Sequence, residues 1–318
     1  MENKTNNKND WSVCDDSFGY LAYLLNQNKE FSELHLPSLN KVKIKGSDIV
    51  MVKKIPIQFS KRVSDICSII KSSKNTNLKI IEKHADENFI ILKTSSTFGE
   101  TINSNNLSPA EKNKILDLFF KYHLEINRKD IIISANYDTF FNSRKFKQDI
   151  SSLRNKIDSL EKSSFDKKVL NYIDTISALN INPNFKKLKM KNVHGDFILR
   201  NIIKKDDNYC LIDLDMAHKG YLEIQYIRIL KELFGLATQE FFRELKKRKS
   251  LLSNISGSEL FDFYLLHKIH DLALLKSTYF TNEKKYNELK GYISSQIGYM
   301  MNLINNRDKF LKKFEDNL

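Results

Sequence analysis

The sequence predicts an α+β chain in two parts, a small half built on antiparallel strands and a larger half that is mainly helical. Three observations carry this expectation. Before residue 97 the apolar residues fall in paired strand-like runs around one helical stretch. After it they recur at steps of three and four over long segments. At 192–215, two short apolar runs each deliver acidic or amide side chains at their ends.

In order, residues 1–15 read as a disordered tail and 18–25 as a short helix. From 31 to 57 the pattern is that of a hairpin. Val42 and Ile44 alternate with lysines, Lys45-Gly46-Ser47-Asp48 supplies turn chemistry, and 49–52 is a buried-strand run. Pro56 ends the strand, and Val63, Ile66, Cys67 and Ile70 predict a helix over 59–71. A second hairpin pairs 78–81 with 89–92 across Asp86-Glu87-Asn88. The first half therefore spans 16–97 and the second 98–318. In the second half, Ser108-Pro109 opens a helix over 107–124 whose apolar side carries Ile115, Leu116, Leu118 and Phe119. Phe146, Ile150, Leu153, Ile157 and Leu160 place another over 144–161, paired with a helix over 169–179. Beyond Asp215 the pattern is mainly helical, over 222–236, 239–247, 259–275 and 286–310.

Composition narrows the function classes. The chain has 318 residues, 41% hydrophobic and 29% charged, which excludes a disordered chain. No run is long enough to cross a membrane, and the polar N-terminus is unlike a signal peptide, so the expected location is the cytoplasm. Three cysteines without metal-ligand spacing fit free thiols in a reducing compartment. A net charge of +13 favours anionic partners such as nucleotides, nucleic acid or an acidic membrane surface. No basic–aromatic interleaving forms a nucleic-acid platform, so nucleic acid is not the expected partner, whereas peripheral contact with an anionic membrane stays open.

The stretch 192–215 carries the chemistry. Val193 precedes His194-Gly195-Asp196, Asn201 follows Asp196 by five residues, and the apolar run 209–212 ends in Asp213. Phosphoryl transfer needs a carboxylate to orient and deprotonate a hydroxyl, and oxygen ligands for magnesium on the nucleotide phosphates. Asp196, Asn201 and Asp213 are such a set.

These residues match H-G-D-x-x-x-x-N followed by I-D-x-[DE], and the sequence thereby resembles the aminoglycoside phosphotransferase and choline kinase-like family, distant relatives of the protein kinases. The resemblance implies a two-lobed protein kinase-like fold, for which strand-strand-helix-strand-strand is the expected small-lobe order. It implies Asp196 as catalytic base, Asn201 and Asp213 as magnesium ligands, His194 as a residue that orients the loop, and a supporting role for Asp215. Val50-Met51-Val52-Lys53 has the shape of the phosphate-binding lysine strand, which selects Lys53, with Lys54 as the alternative if the register slips by one. The helix that should hold this lysine with a glutamate has none, and Asp65 is its available carboxylate. Residues 94–101, including Thr94, Ser95 and Ser96, would form the hinge whose backbone meets adenine.

The sequence departs from the pattern in places. No Gly-x-Gly-x-x-Gly loop is present, and Leu36-Pro37-Ser38-Leu39-Asn40 stands in its position. Gly220 is present, but where the family often carries a bracing aspartate there is Gln225, with Glu223 nearby. His267, His270 and Asp271 have metal-compatible spacing but no supporting motif, and read as partly exposed helix residues.

The expected activity is transfer of the gamma-phosphoryl group of ATP, or of GTP, with Mg2+, to a hydroxyl of a small molecule, either antibiotic-like or a sugar metabolite. Alternative acceptors are a cell-envelope glycan of the lipopolysaccharide core type or a peptide serine or threonine. The competing class is a kinase-like binder without turnover. Carboxylates around the acceptor pocket would favour a cationic drug, and a basic face would favour a membrane glycolipid.

Overall fold

A computed structural model describes residues 12–13, 39–45, 48–97, 99–102, 106–128, 131, 133, 143–181, 188–248, 255–270, 272–280 and 283–318. Within the expected disordered tail Ser12 and Val13 instead pair as a strand, while the rest of that tail, the helix over 18–25, the segment Leu36-Pro37-Ser38 and Asp271 lie outside the described residues.

The first lobe is one antiparallel sheet with a helix. Strands β1 (Ser12–Val13), β2 (Leu39–Lys45), β3 (Asp48–Pro56), β4 (Leu78–Ala85) and β5 (Phe89–Thr97) lie in the order β1-β2-β3-β5-β4. Helix α1 (Ser60–Ser72) connects β3 to β4. Its Val63, Ile66, Cys67, Ile69 and Ile70 are buried with Ile55, Ile90 and Leu92 of the sheet in one core that continues into the second lobe. Register settles which lysine faces inward. Lys53 is 9% exposed, whereas Lys54, on the opposite strand face, lies 3.9 Å over the Phe89 ring.

The chain crosses between lobes through β6 (Glu100–Thr101), which pairs with β8 (Ile202–Lys205) of the second lobe. A second joint forms behind α1. Asn77 N–H donates to Leu211 O (3.0 Å), Leu211 N–H donates to Asn75 O (2.9 Å), and Ser73 Oγ donates to Glu125 Oε2 (2.6 Å).

In the second lobe, α2 (Pro109–Ile126) begins with a capping box in which Ser108 and Glu111 satisfy each other's backbone N–H groups. Its Phe119 meets Phe197 edge-on at 4.9 Å, so the helix packs directly beneath the 192–201 segment. The expected pair is α3 (Ser143–Asp158) and α4 (Ser164–Ala178), with Leu153, Ile157, Tyr172, Ile173 and Ile176 buried. Then come β7 (Met190–Val193), β8, β9 (Asn208–Leu211), β10 (His218–Tyr221), α5 (Leu222–Phe234) and α6 (Gln239–Lys247).

Two helices expected to be continuous are divided. The one expected over 259–275 is α7 (Gly257–His270) and α8 (Ala273–Phe280), and the one expected over 286–310 is α9 (Glu283–Asn305) and α10 (Arg307–Asn317). At the second break Asn306 donates both its backbone N–H (3.1 Å) and its side-chain Nδ2 (3.0 Å) to Asn302 O. Strand β10 was not expected at all. It pairs antiparallel with β7, His218 opposite Val193, and sets the end of the second polar loop beside the first.

Candidate active site

Two loops leave short strands and meet under the sheet of the first lobe. The first leaves β7 at Val193. His194 is fully buried and bridges the loops: its Nε2 donates to Ile212 O (3.2 Å), and its Nδ1 accepts from Asp196 N–H (3.4 Å). Burial lowers its pKa, so the ring is a neutral spacer that orients the loop. Behind it His123, equally buried and with its pKa pushed down to about 3, donates from Nδ1 to Phe119 O (2.7 Å).

Gly195 follows at φ +82°, and a Cβ there would lie 2.0 Å from Met216 O of the second loop. Only glycine permits both the turn and the approach. The turn brings out Asp196, 8% exposed. Asn201, at the end of the tight turn Leu199–Asn201, donates from Nδ2 to both Asp196 O and Asp196 Oδ2, each at 2.9 Å. With the amide nitrogen so engaged, Oδ1 is the end left as an acceptor. Asn201 O also accepts from Ile212 N–H (3.0 Å), which ties the loops together.

Helix α5 bonds the first loop through Arg228 and Glu232. Gln225 and Glu223 are both buried. Arg228 Nη1 donates to Gly195 O (2.8 Å) and Nη2 to Asp196 Oδ1 (2.7 Å). One turn later on the same helix face, Glu232 Oε2 accepts Leu199 N–H at 2.7 Å. Burial raises the Glu232 pKa. The loop is thus gripped near both ends by one helix. Arg200 Nη2 also lies 3.2 Å from Asp196 Oδ2, with its side chain 59% exposed.

The second loop follows β9. Asp213 is exposed and adopts φ +57°, a left-handed conformation that aspartate tolerates better than most residues. Asp215 is buried, and its partner is on the other lobe: Lys53 Nζ lies 2.5 Å from Asp215 Oδ2. Arg62 of α1 donates from Nη2 to Asp215 O at 2.7 Å. Burial lowers the Arg62 pKa against the opposing charges of Asp215 and Asp65.

Asp215 receives Lys53, the lysine for which Asp65 is the expected partner, and Asp65, buried on α1, acts on Arg62. The hinge also differs from expectation. Thr94, Ser95 and Ser96 are inside β5, with Met51, Val50 and Ile49 opposite on one side and Ile80, Lys79 and Leu78 on the other. Their backbone groups serve the ladders, and the crossing begins only after Thr97. His267 is buried rather than partly exposed, and His270 stacks on Phe146 at 4.1 Å. Among the described residues no group of three His, Cys, Asp or Glu could hold a metal.

Arg62, Arg200, Arg228 and Glu232 were missed from the sequence. A signal existed for the last pair, since Arg228 and Glu232 stand four apart on a helix whose neighbouring positions are largely apolar.

No protein-family model matches the sequence, and no curated protein sequence matches it. Solved structures do. The chain is similar to spectinomycin phosphotransferase APH(9)-Ia in complex with ADP and spectinomycin, at 15% identity and TM-score 0.55, over 84% of this chain and 85% of that one. It is similar to a choline/ethanolamine kinase family protein from Mesorhizobium loti at 12% identity and TM-score 0.56, over 87% and 89%. It is also similar to choline kinase LicA from Streptococcus pneumoniae at 15% identity and TM-score 0.50, over 84% and 89%. The chain has the two-lobed protein kinase-like fold that aminoglycoside phosphotransferases and choline/ethanolamine kinases share.

Proposed function

We propose that this protein is a phosphotransferase that moves the gamma-phosphoryl group of ATP to a hydroxyl of a small molecule. The observation that carries the reading is the meeting, at one cleft, of a lysine from β3 with the two polar loops, Lys53 on Asp215 and Asn201 on Asp196. The complex of the spectinomycin phosphotransferase with ADP and spectinomycin supports a nucleotide and a small acceptor for such a cleft.

In this reading Lys53 serves the nucleotide phosphates, with Asp215, Arg62 and Asp65 holding it in place. The nucleotide's base meets the backbone after Thr97. Asp196 accepts a hydrogen bond from the acceptor hydroxyl and takes its proton as the new bond forms. His194, Arg228 and Glu232 keep the carboxylate in position. The donor set fits a hard divalent cation, because Asn201 presents a carbonyl oxygen and Asp213 an exposed carboxylate. When bound, Mg2+ would neutralise charge on the phosphates there. Catalysis is then mostly orientation and charge placement.

The test is Asp196→Ala. Turnover should fall by about 10³-fold or more while the calorimetric affinity for nucleotide stays within a few-fold. Full activity in the purified variant would sink the assignment.

A further inference from the structure

We propose that the acceptor carries an oxyanion, a phosphate or carboxylate, close to the hydroxyl that is phosphorylated, and that Arg200 recognises it. This rests on the phosphotransferase reading and deepens it. The acceptor hydroxyl has to touch Asp196, and within 3.2 Å of that carboxylate stands a guanidinium whose side chain is 59% exposed. Arg228, the other arginine on Asp196, is only 13% exposed and spends a second N–H on Gly195 O, which marks it as part of the loop's support. Arg200 is on the surface side of the same carboxylate. An arginine in that place presents a fork of donors suited to a planar or tetrahedral oxyanion, and repels a cation brought to the same hydroxyl.

The carboxylates of the helical lobe point the same way. A polycationic acceptor needs several carboxylates to receive it. Among the described residues, five of the buried and half-buried ones are engaged inside the protein. Asp149 is held by Lys276 (2.9 Å), Asp262 by Arg307 (2.6 Å), and Glu244 by Lys247 (2.7 Å). Asp166 accepts from Tyr279 (2.7 Å), and Glu232 from Leu199 N–H. The net charge of +13 adds a long-range attraction for anions.

The experiment uses the full chain with Mg2+ and ATP labelled at the gamma position. Small-molecule and lipid extracts from the source cell are divided by ion exchange at neutral pH into cationic, neutral and anionic pools. Asp196-dependent transfer is expected in the anionic pool. For the acceptor recovered from it, Arg200→Gln should raise KM by roughly tenfold or more, as for loss of one charge-assisted hydrogen bond, and Arg200→Lys should recover part of that loss. The nucleotide Kd should hardly move. Asp196-dependent labelling confined to the cationic or neutral pool overturns the inference and leaves the phosphotransferase reading standing. An unchanged acceptor KM with a reduced kcat in Arg200→Gln also overturns it, because Arg200 would then act on the transferring phosphoryl group. No Asp196-dependent label in any pool overturns the phosphotransferase reading, and the inference with it.

Discussion

The two loops of the candidate site are tied to each other but differ in what else holds them. The first, around Asp196, is fixed from within its own lobe: His194 and Asn201 lock it locally, and Arg228 and Glu232 grip it from α5. The second, besides its links to the first through Ile212, is fixed across the cleft, since Asp215 is tied to Lys53 of β3 and to Arg62 of α1. Each supports a different duty. A base that orients a hydroxyl benefits from a carboxylate whose position does not depend on where the other lobe sits. In the proposed roles, a metal-binding loop tied to a phosphate-binding lysine would register the position of the first lobe as well.

The largest expected effects would break this comparison most directly. Lys53→Met should raise the nucleotide Kd and cut turnover by about 10²-fold, whereas Arg228→Met should lower kcat by about tenfold to 10²-fold with nucleotide affinity nearly unchanged. Parallel losses of nucleotide affinity in the two variants, measured by calorimetry, would mean that the loops are not separately held.

A smaller effect is expected where the loops touch. Gly195→Ala forces a side chain into a left-handed turn against Met216 O, and should destabilise the fold by about 1–3 kcal/mol in denaturant unfolding. An unchanged midpoint would show that the second loop can retreat, and that the contact between the loops is looser than it looks.

An effect confined to acid pH sharpens the account of the first loop's support. His123 is buried neutral with its pKa pushed down to about 3, while in the unfolded chain it titrates near its ordinary value of about 6.5. Below that value the unfolded chain takes up a proton that the native one refuses. The His123 contribution is therefore complete above about pH 6.5 and is lost as pH falls towards 3. The melting temperature of the native protein should fall more steeply across that window than that of His123→Gln. Equal slopes would assign the acid sensitivity to other groups.

Much of the fold could be read in advance because its signals are local. The strand runs of the first lobe, the Ser108-Pro109 helix start and the apolar stripes of α3 and α4 are each set by neighbours a few residues away. The helix breaks at Leu272 and Asn306 carry no glycine or proline, and were invisible for that reason. Strand β10 was hidden because four residues acquire a strand's identity only by pairing with β7.

For the candidate site, the amino-acid order alone singles out the proposed set. Asn201 reaches Asp196 across one tight turn, and across one short hairpin Ile212, next to Asp213, donates its N–H to Asn201 O, so the links are local to that chain segment. Tertiary structure decided how they are held. The separation of Lys53 from Asp215 is 162 residues and that of Arg228 from Asp196 is 32, so both pairs exist only once sheet and helices have packed. Charge partners at such distances leave no periodic trace in sequence, because each side chain looks the same whether it ends in solvent or on a carboxylate.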